Sequence, residues 1–193
     1  MHTIEPFFLW RDDYTAEDDS HSPFYRRQYD EFSFHNVVYN YYIHPQRDEF
    51  GSSTLYMKIL FTDYKAKFAI IQLIGEWNDA LHNDIMYLKR SIAEHMMQEG
   101  IIKFLIICDN VLNFHGDDTS YYEEWHEDVA DVNGWIVFIN LLDHVFKEFR
   151  KYKIDYYISL ERELNDMEWR TMKPLIIKEY IENYSSQKQK SLY

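Results

Sequence analysis

Cysteine is nearly absent from this chain: Cys108 is the only one in 193 residues. A disulfide framework and a cysteine-type zinc site are therefore excluded, and a reducing, cytoplasmic compartment is the natural setting. Glycine and proline are almost as scarce, with 5 and 4 residues, so long irregular loops are not expected to dominate. No apolar run approaches the roughly 20 residues that a membrane helix needs. Residues 1–13 lack a basic stretch followed by an apolar one, so no signal peptide is expected. Positive charge is in deficit: 20 Lys and Arg against 33 Asp and Glu give a formal net charge of −13. Such a surface repels phosphate backbones and anionic lipid heads. Neither nucleic acid nor a membrane is an expected partner, whereas a basic protein surface is attracted.

What is present suits a packed core. Hydrophobic residues make up 46% of the chain and aromatics 18%, which argues against disorder. Residues 1–53 read as an aromatic-rich extension. Within it, Phe32, Phe34, Val37, Tyr39, Tyr41 and Ile43 alternate as one strand with a bulge near His35 and Asn36. Two further readings of the extension stand side by side: it covers a face or edge of its own sheet, or it packs on a second subunit.

From residue 55 the pattern becomes regular. Segments 55–62 and 68–74 are two β-rich runs joined by a short turn, as in an antiparallel hairpin. Leu81, Ile85, Leu88, Ile92 and Met96 draw one stripe along a helix capped by Asn78 or Asp79 and stopped by Gly100. Segments 101–108 and 135–142 are apolar on both faces, the signature of parallel strands covered on both sides. A helix lies between them from Thr119 or Ser120 to Val132. Asp143 opens a third helix, segment 154–160 reads as the last strand, and 161–184 is helical, with Pro174 as a kink or a fresh start. The expected architecture is an α/β domain over 54–184, with a frayed tail at 185–193. Its order is β-β-α-β-α-β-α-β-α: a single mostly parallel sheet with an antiparallel first strand and helices on its faces.

That order resembles the STAS domain of SpoIIAA-like bacterial regulators. Residues 104–114 resemble the family's central strand and following turn, and Asp118-Thr119-Ser120 resembles the Asp-Ser pair that opens its next helix. In antagonists of that family the serine is the phosphorylation switch. Here Tyr121-Tyr122 replace the usual Gly-Leu, and His115-Gly116 are two residues in excess. The resemblance implies protein–protein or small-ligand binding, with self-association into a homodimer among the expectations, rather than catalysis.

Three groups of residues carry chemistry. The 117–120 turn, with acids Asp117 and Asp118 and hydroxyls Thr119 and Ser120, is either a helix cap or an anion and phosphorylation site at a helix N-terminus. His115, Asp117 and His126 lie close in sequence and could ligate a divalent metal in an enzyme, although no recognised ligand spacing is present. Trp77, Trp125 and Trp135 could line an apolar cleft for a small ligand. No phosphate loop, dinucleotide fingerprint or nucleophile elbow occurs, so no cofactor is expected.

Overall fold

The computed structural model describes residues 2–191. Three short strands come first: β1 (His2–Ile4), β2 (Val37–Val38) and β3 (Tyr41–Ile43) form a small sheet in the order β1-β3-β2. The main sheet follows as β4 (Leu55–Asp63), β5 (Phe68–Asn78), β6 (Lys103–His115) and β7 (Trp135–Ile139), adjacent in that order. β4 is antiparallel to β5, whereas β5, β6 and β7 are parallel. The three apolar segments lie side by side as expected, with Ile71 opposite Ile106 and Ile106 opposite Phe138.

One face of this sheet is covered by helices. α1 (Asp79–His82), α2 (Asp84–Tyr87), a π-helical stretch (Leu88–Ala93) and α3 (Glu94–Gln98) lead from β5 to β6. α4 (Ser120–Ala130) leads from β6 to β7, and α5 (Asp143–Lys151) follows β7. Ile85, Leu88, Ile92 and Met96 are buried against the sheet as the stripe predicts. Leu81 is not: it is 79% exposed. Asn83 adopts the left-handed conformation (φ 53°) and breaks the expected continuous helix between α1 and α2, which turns Leu81 outward. Gly100 ends α3 as predicted. At φ +92° it lets its own N–H reach the Met97 carbonyl and the Ile101 N–H reach that of Met96.

The other face is covered by chain from both ends. Phe7 and Trp10 pack edge-to-face on Trp169, and α7 (Pro174–Ser191) adds Ile177 and Ile181. The small sheet adds Ile4, Val38 and Ile43 over Tyr56 and Ile74. The extension therefore covers its own chain's sheet. It also pairs with the edge strand, where Asp48 and Met57 exchange backbone hydrogen bonds of 2.7 and 3.0 Å. A buried polar relay pins this face: the Phe7 N–H donates to Gln72 Oε1 at 2.9 Å, Gln72 Nε2 donates to Asp109 Oδ1 at 2.9 Å, and Arg170 closes on the same carboxylate.

Four expectations need correction. The single strand around residues 32–43 is a tight hairpin of β2 and β3, turned by Tyr39 at φ 52°, and Phe32 stands 88% exposed. β6 runs on to His115, through the segment from Asn110 that reads as a polar loop. Segment 154–160 forms only the single parallel bridge Val137–Ser159. Its buried Ile154 and Ile158 are four apart and the Ile158 N–H bonds the Ile154 carbonyl, so it is a helical turn (Ile154–Tyr156) rather than a strand. Finally, residues 185–191 continue α7 instead of fraying, and Pro174 starts that helix afresh after α6 (Arg162–Asn165) and a 3-10 turn.

Candidate functional site

Ligands of open α/β sheets bind beyond the C-terminal ends of parallel strands. In this chain β5 ends at Asn78 directly opposite His115, the last residue of β6. The chain leaving β5 enters α1, and the chain leaving β6 turns through residues 116–119 into α4. Gly116 allows that turn: a Cβ there would stand 2.6 Å from the Tyr152 ring and 2.8 Å from that of Phe114. Between α1 and the 117–118 turn lies a cleft of about 260 Å3 lined by Asp79, Leu81, Asn83, Asp117, Asp118 and Tyr121.

Its floor is Asp79. The Asp79 carboxylate accepts three hydrogen bonds, from Trp77 Nε1 at 2.8 Å, from the Ile85 N–H at 2.9 Å and from the Tyr122 hydroxyl at 2.7 Å. One buried group thus ties the end of β5, the start of α2 and the first turn of α4. Burial raises its pKa to about 6, against the opposing pull of the three donors, and the nearby Asp84 pushes in the same direction as burial. Asp84 is itself buried and raised for the same reason, although its Oδ2 accepts the Asn78 N–H at 2.8 Å. The Tyr122 hydroxyl is held far above its ordinary value by burial and by Asp79.

The 117–120 turn forms the facing wall. Thr119 is the residue that precedes α4, but its side chain makes no capping bond. Asp118 does that work, accepting the Ser120 N–H at 3.2 Å and the Ser120 hydroxyl at 2.6 Å, and these bonds hold its pKa below the usual carboxylate range. Asp117 and Ser120 are exposed. The cleft therefore offers anionic and neutral oxygens and no cation, an environment for an ammonium, a guanidinium or a basic peptide side chain.

The other candidates are not brought together. His115 faces Glu76 at 3.1 Å, and His126 lies on the exposed side of α4 beside the Tyr157 ring. Among the described residues no three His, Cys, Asp or Glu side chains are arranged to hold a metal ion. Trp77 and Trp125 are buried in the helix-covered core, while Trp135 packs near Phe68 on the opposite face, so the three do not line one cleft. Cys108 is fully buried and its thiol is pushed well up by desolvation, which removes it as a nucleophile. Asp79, Asp84 and Tyr122 escape sequence reasoning as a site. Asp79 reads there only as a cap, yet an acid directly after a strand that ends Glu-Trp-Asn was a usable signal.

No family model matches the chain, and no curated protein matches it.

Proposed function

We propose that this protein is a non-enzymatic regulatory binding module of STAS-like type, working in a reducing, cytoplasmic setting and recognising a basic protein segment through the acidic cleft between α1 and α4. The observation that carries this reading is the cleft itself. Asp79, Asp117 and Asp118 line it, Asp117 and Asp118 exposed on the turn before α4, and no side chain lining it is an activated nucleophile. The negative surface of the whole chain adds long-range attraction for a basic partner.

Ser120 gives that cleft a regulatory handle. Its hydroxyl is exposed and bonded to Asp118, so phosphorylation breaks that bond and sets about two negative charges beside Asp117 and Asp118. The added repulsion loosens the first turn of α4 and remodels one wall of the cleft. Thr119 is the neighbouring alternative acceptor. A homodimer belongs to the same reading, with self-association placing two clefts in one particle.

Incubating the protein with ATP and a lysate of its host, then mapping phosphopeptides, tests the switch. Phosphate on Ser120 or Thr119, lost in the Ser120→Ala and Thr119→Ala variants, supports it. No phosphate under any condition reduces the turn to a cap. Calorimetric titration with an oligolysine peptide tests the cleft: binding should weaken roughly ten-fold in Asp117→Asn/Asp118→Asn, the loss of one to two charge-assisted contacts. Light scattering reads the oligomeric state.

A further inference from the structure

A second cleft, of about 350 Å3, lies between α5, segment 158–163 and Lys188 of α7. Its floor is apolar: Phe146, Ile158 and Leu160 are all buried. One wall is an extended piece of chain. Ser159 spends both of its backbone groups on β7, donating to Ile136 at 2.9 Å and accepting from Phe138 at 3.0 Å. In extended chain the next residue directs its backbone groups the other way. The Leu160 N–H bonds to no other described residue.

The charges around this cleft are unevenly used. All four carboxylates near it are engaged: Asp155 with Arg150, Asp143 with Arg162, Glu161 with Lys188, and Glu163 with the Tyr184 hydroxyl. The cations are not used up. Arg150 gives only its Nε to Asp155, leaving both terminal amines free, and it is largely exposed. Arg162 gives one terminal amine to Asp143, a carboxylate 72% exposed and so weakly held, while its guanidinium lies over the Phe146 ring. Lys147 pairs with no described residue and lines the adjoining shallow part of the same concavity. These free donor edges give an anion a place to dock, in a cleft lined by acids and bases in equal number.

We propose that this cleft binds the carboxyl terminus of an extended peptide whose last side chain is apolar. The peptide lies along segment 158–161 as an added strand, accepting the Leu160 N–H. Its carboxylate takes the free edges of the Arg150 and Arg162 guanidiniums, and its terminal side chain covers Phe146 and Leu160. Neither a bare anion nor a purely apolar ligand would use all three features.

The test is titration of isotopically labelled protein, followed through its backbone amides, with three probes: an N-acetylated Ala-Val-Leu tripeptide with a free carboxylate, the same peptide as its C-terminal amide, and acetate. The expected result is a saturable shift of the Ser159 and Leu160 amides by the free-acid peptide, with the amide form about ten-fold weaker. Arg150→Gln, at an exposed position that should not disturb folding, should weaken the free-acid peptide by a similar factor. Lys151→Gln, one residue along and outside the cleft, should leave it unchanged. The proposal is overturned if no saturable shift occurs, if the amide binds as tightly as the acid, or if acetate shifts the same amides at the same concentration.

Discussion

The two faces of the main sheet are both largely buried, yet they are covered in different ways. One carries α1 to α5, whose apolar residues, Trp125 of α4 among them, meet Trp77 of β5, Phe104 of β6 and Phe138 of β7. The other carries the extension and α7, joined by an aromatic cluster of Phe7, Trp10 and Trp169 and by the polar relay through Gln72 and Asp109. Regular helices cover a surface by periodicity alone. The extension bonds internally only in its small sheet and in isolated turns, so a group left over, the Phe7 N–H, takes its partner from the main sheet, where a buried glutamine in the middle of β5 supplies it.

The largest test of this contrast is a pair of truncations. Trp77→Ala removes a ring packed against Phe114, Tyr122, Phe138 and Phe149 and should cost about 5 kcal/mol in denaturant unfolding. Trp169→Ala, on the face where partly buried Phe7 can close in, should cost about 3 kcal/mol. Equal costs would mean that the irregular cover is packed as rigidly as the helical one.

Next comes Asp79. Its pKa is raised in the fold, to about 6, so this group favours the folded state at low pH. That contribution is whole below about pH 4 and is lost as the pH rises through about 6, a change on the order of 3 kcal/mol. Unfolding free energies measured between pH 4 and 8 should show this slope in the wild type and a shallower one in Asp79→Asn, where the other raised carboxyls, Asp84 and Asp48, still titrate. The variant should also start from a lower plateau, because an amide turns a donor toward donors. An undiminished slope in the variant would assign the titration to another group.

Gln72→Ala strips the Phe7 N–H and Asp109 of a partner and should cost about 2 kcal/mol. Hydrogen exchange should quicken around residues 4–10 and 169–171 and not in α2 to α5. The smallest effect is Gly100→Ala, about 1 kcal/mol, since an added Cβ meets nothing within 4 Å and only the left-handed backbone opposes it.

The same contrast explains what could be read from the sequence. The helix-covered face was legible because Ile85, Leu88, Ile92 and Met96 keep a helical spacing and 101–108 is apolar but for Lys103. The far half of β6 was not: two register shifts against β5 put Cys108, Val111 and Phe114 inward at intervals of three, which matches no strand template. Ile154 and Ile158 deceived in the opposite sense, as β-branched residues recruited into a helical turn. The 117–120 turn was legible as one wall of the candidate site because its residue types are those of a cap. Its other wall depends on Asn83 leaving the helical region, a conformation open to asparagine but invisible in a sequence pattern that runs helical on both sides of it.

That left-handed asparagine works as a seam. Upstream of it, residues 79–82 form a single turn fastened at one end by Asn78 and at the other by the Asn83 N–H on Asp79. Downstream, the long helical run stays locked in the core. A graft that rebuilds residues 80–82 and keeps Asp79 should therefore reshape the mouth of the acidic cleft while melting behaviour and the packing of α2 and α3 remain those of the parent. This is the place where recognition can be rewritten without renegotiating the fold.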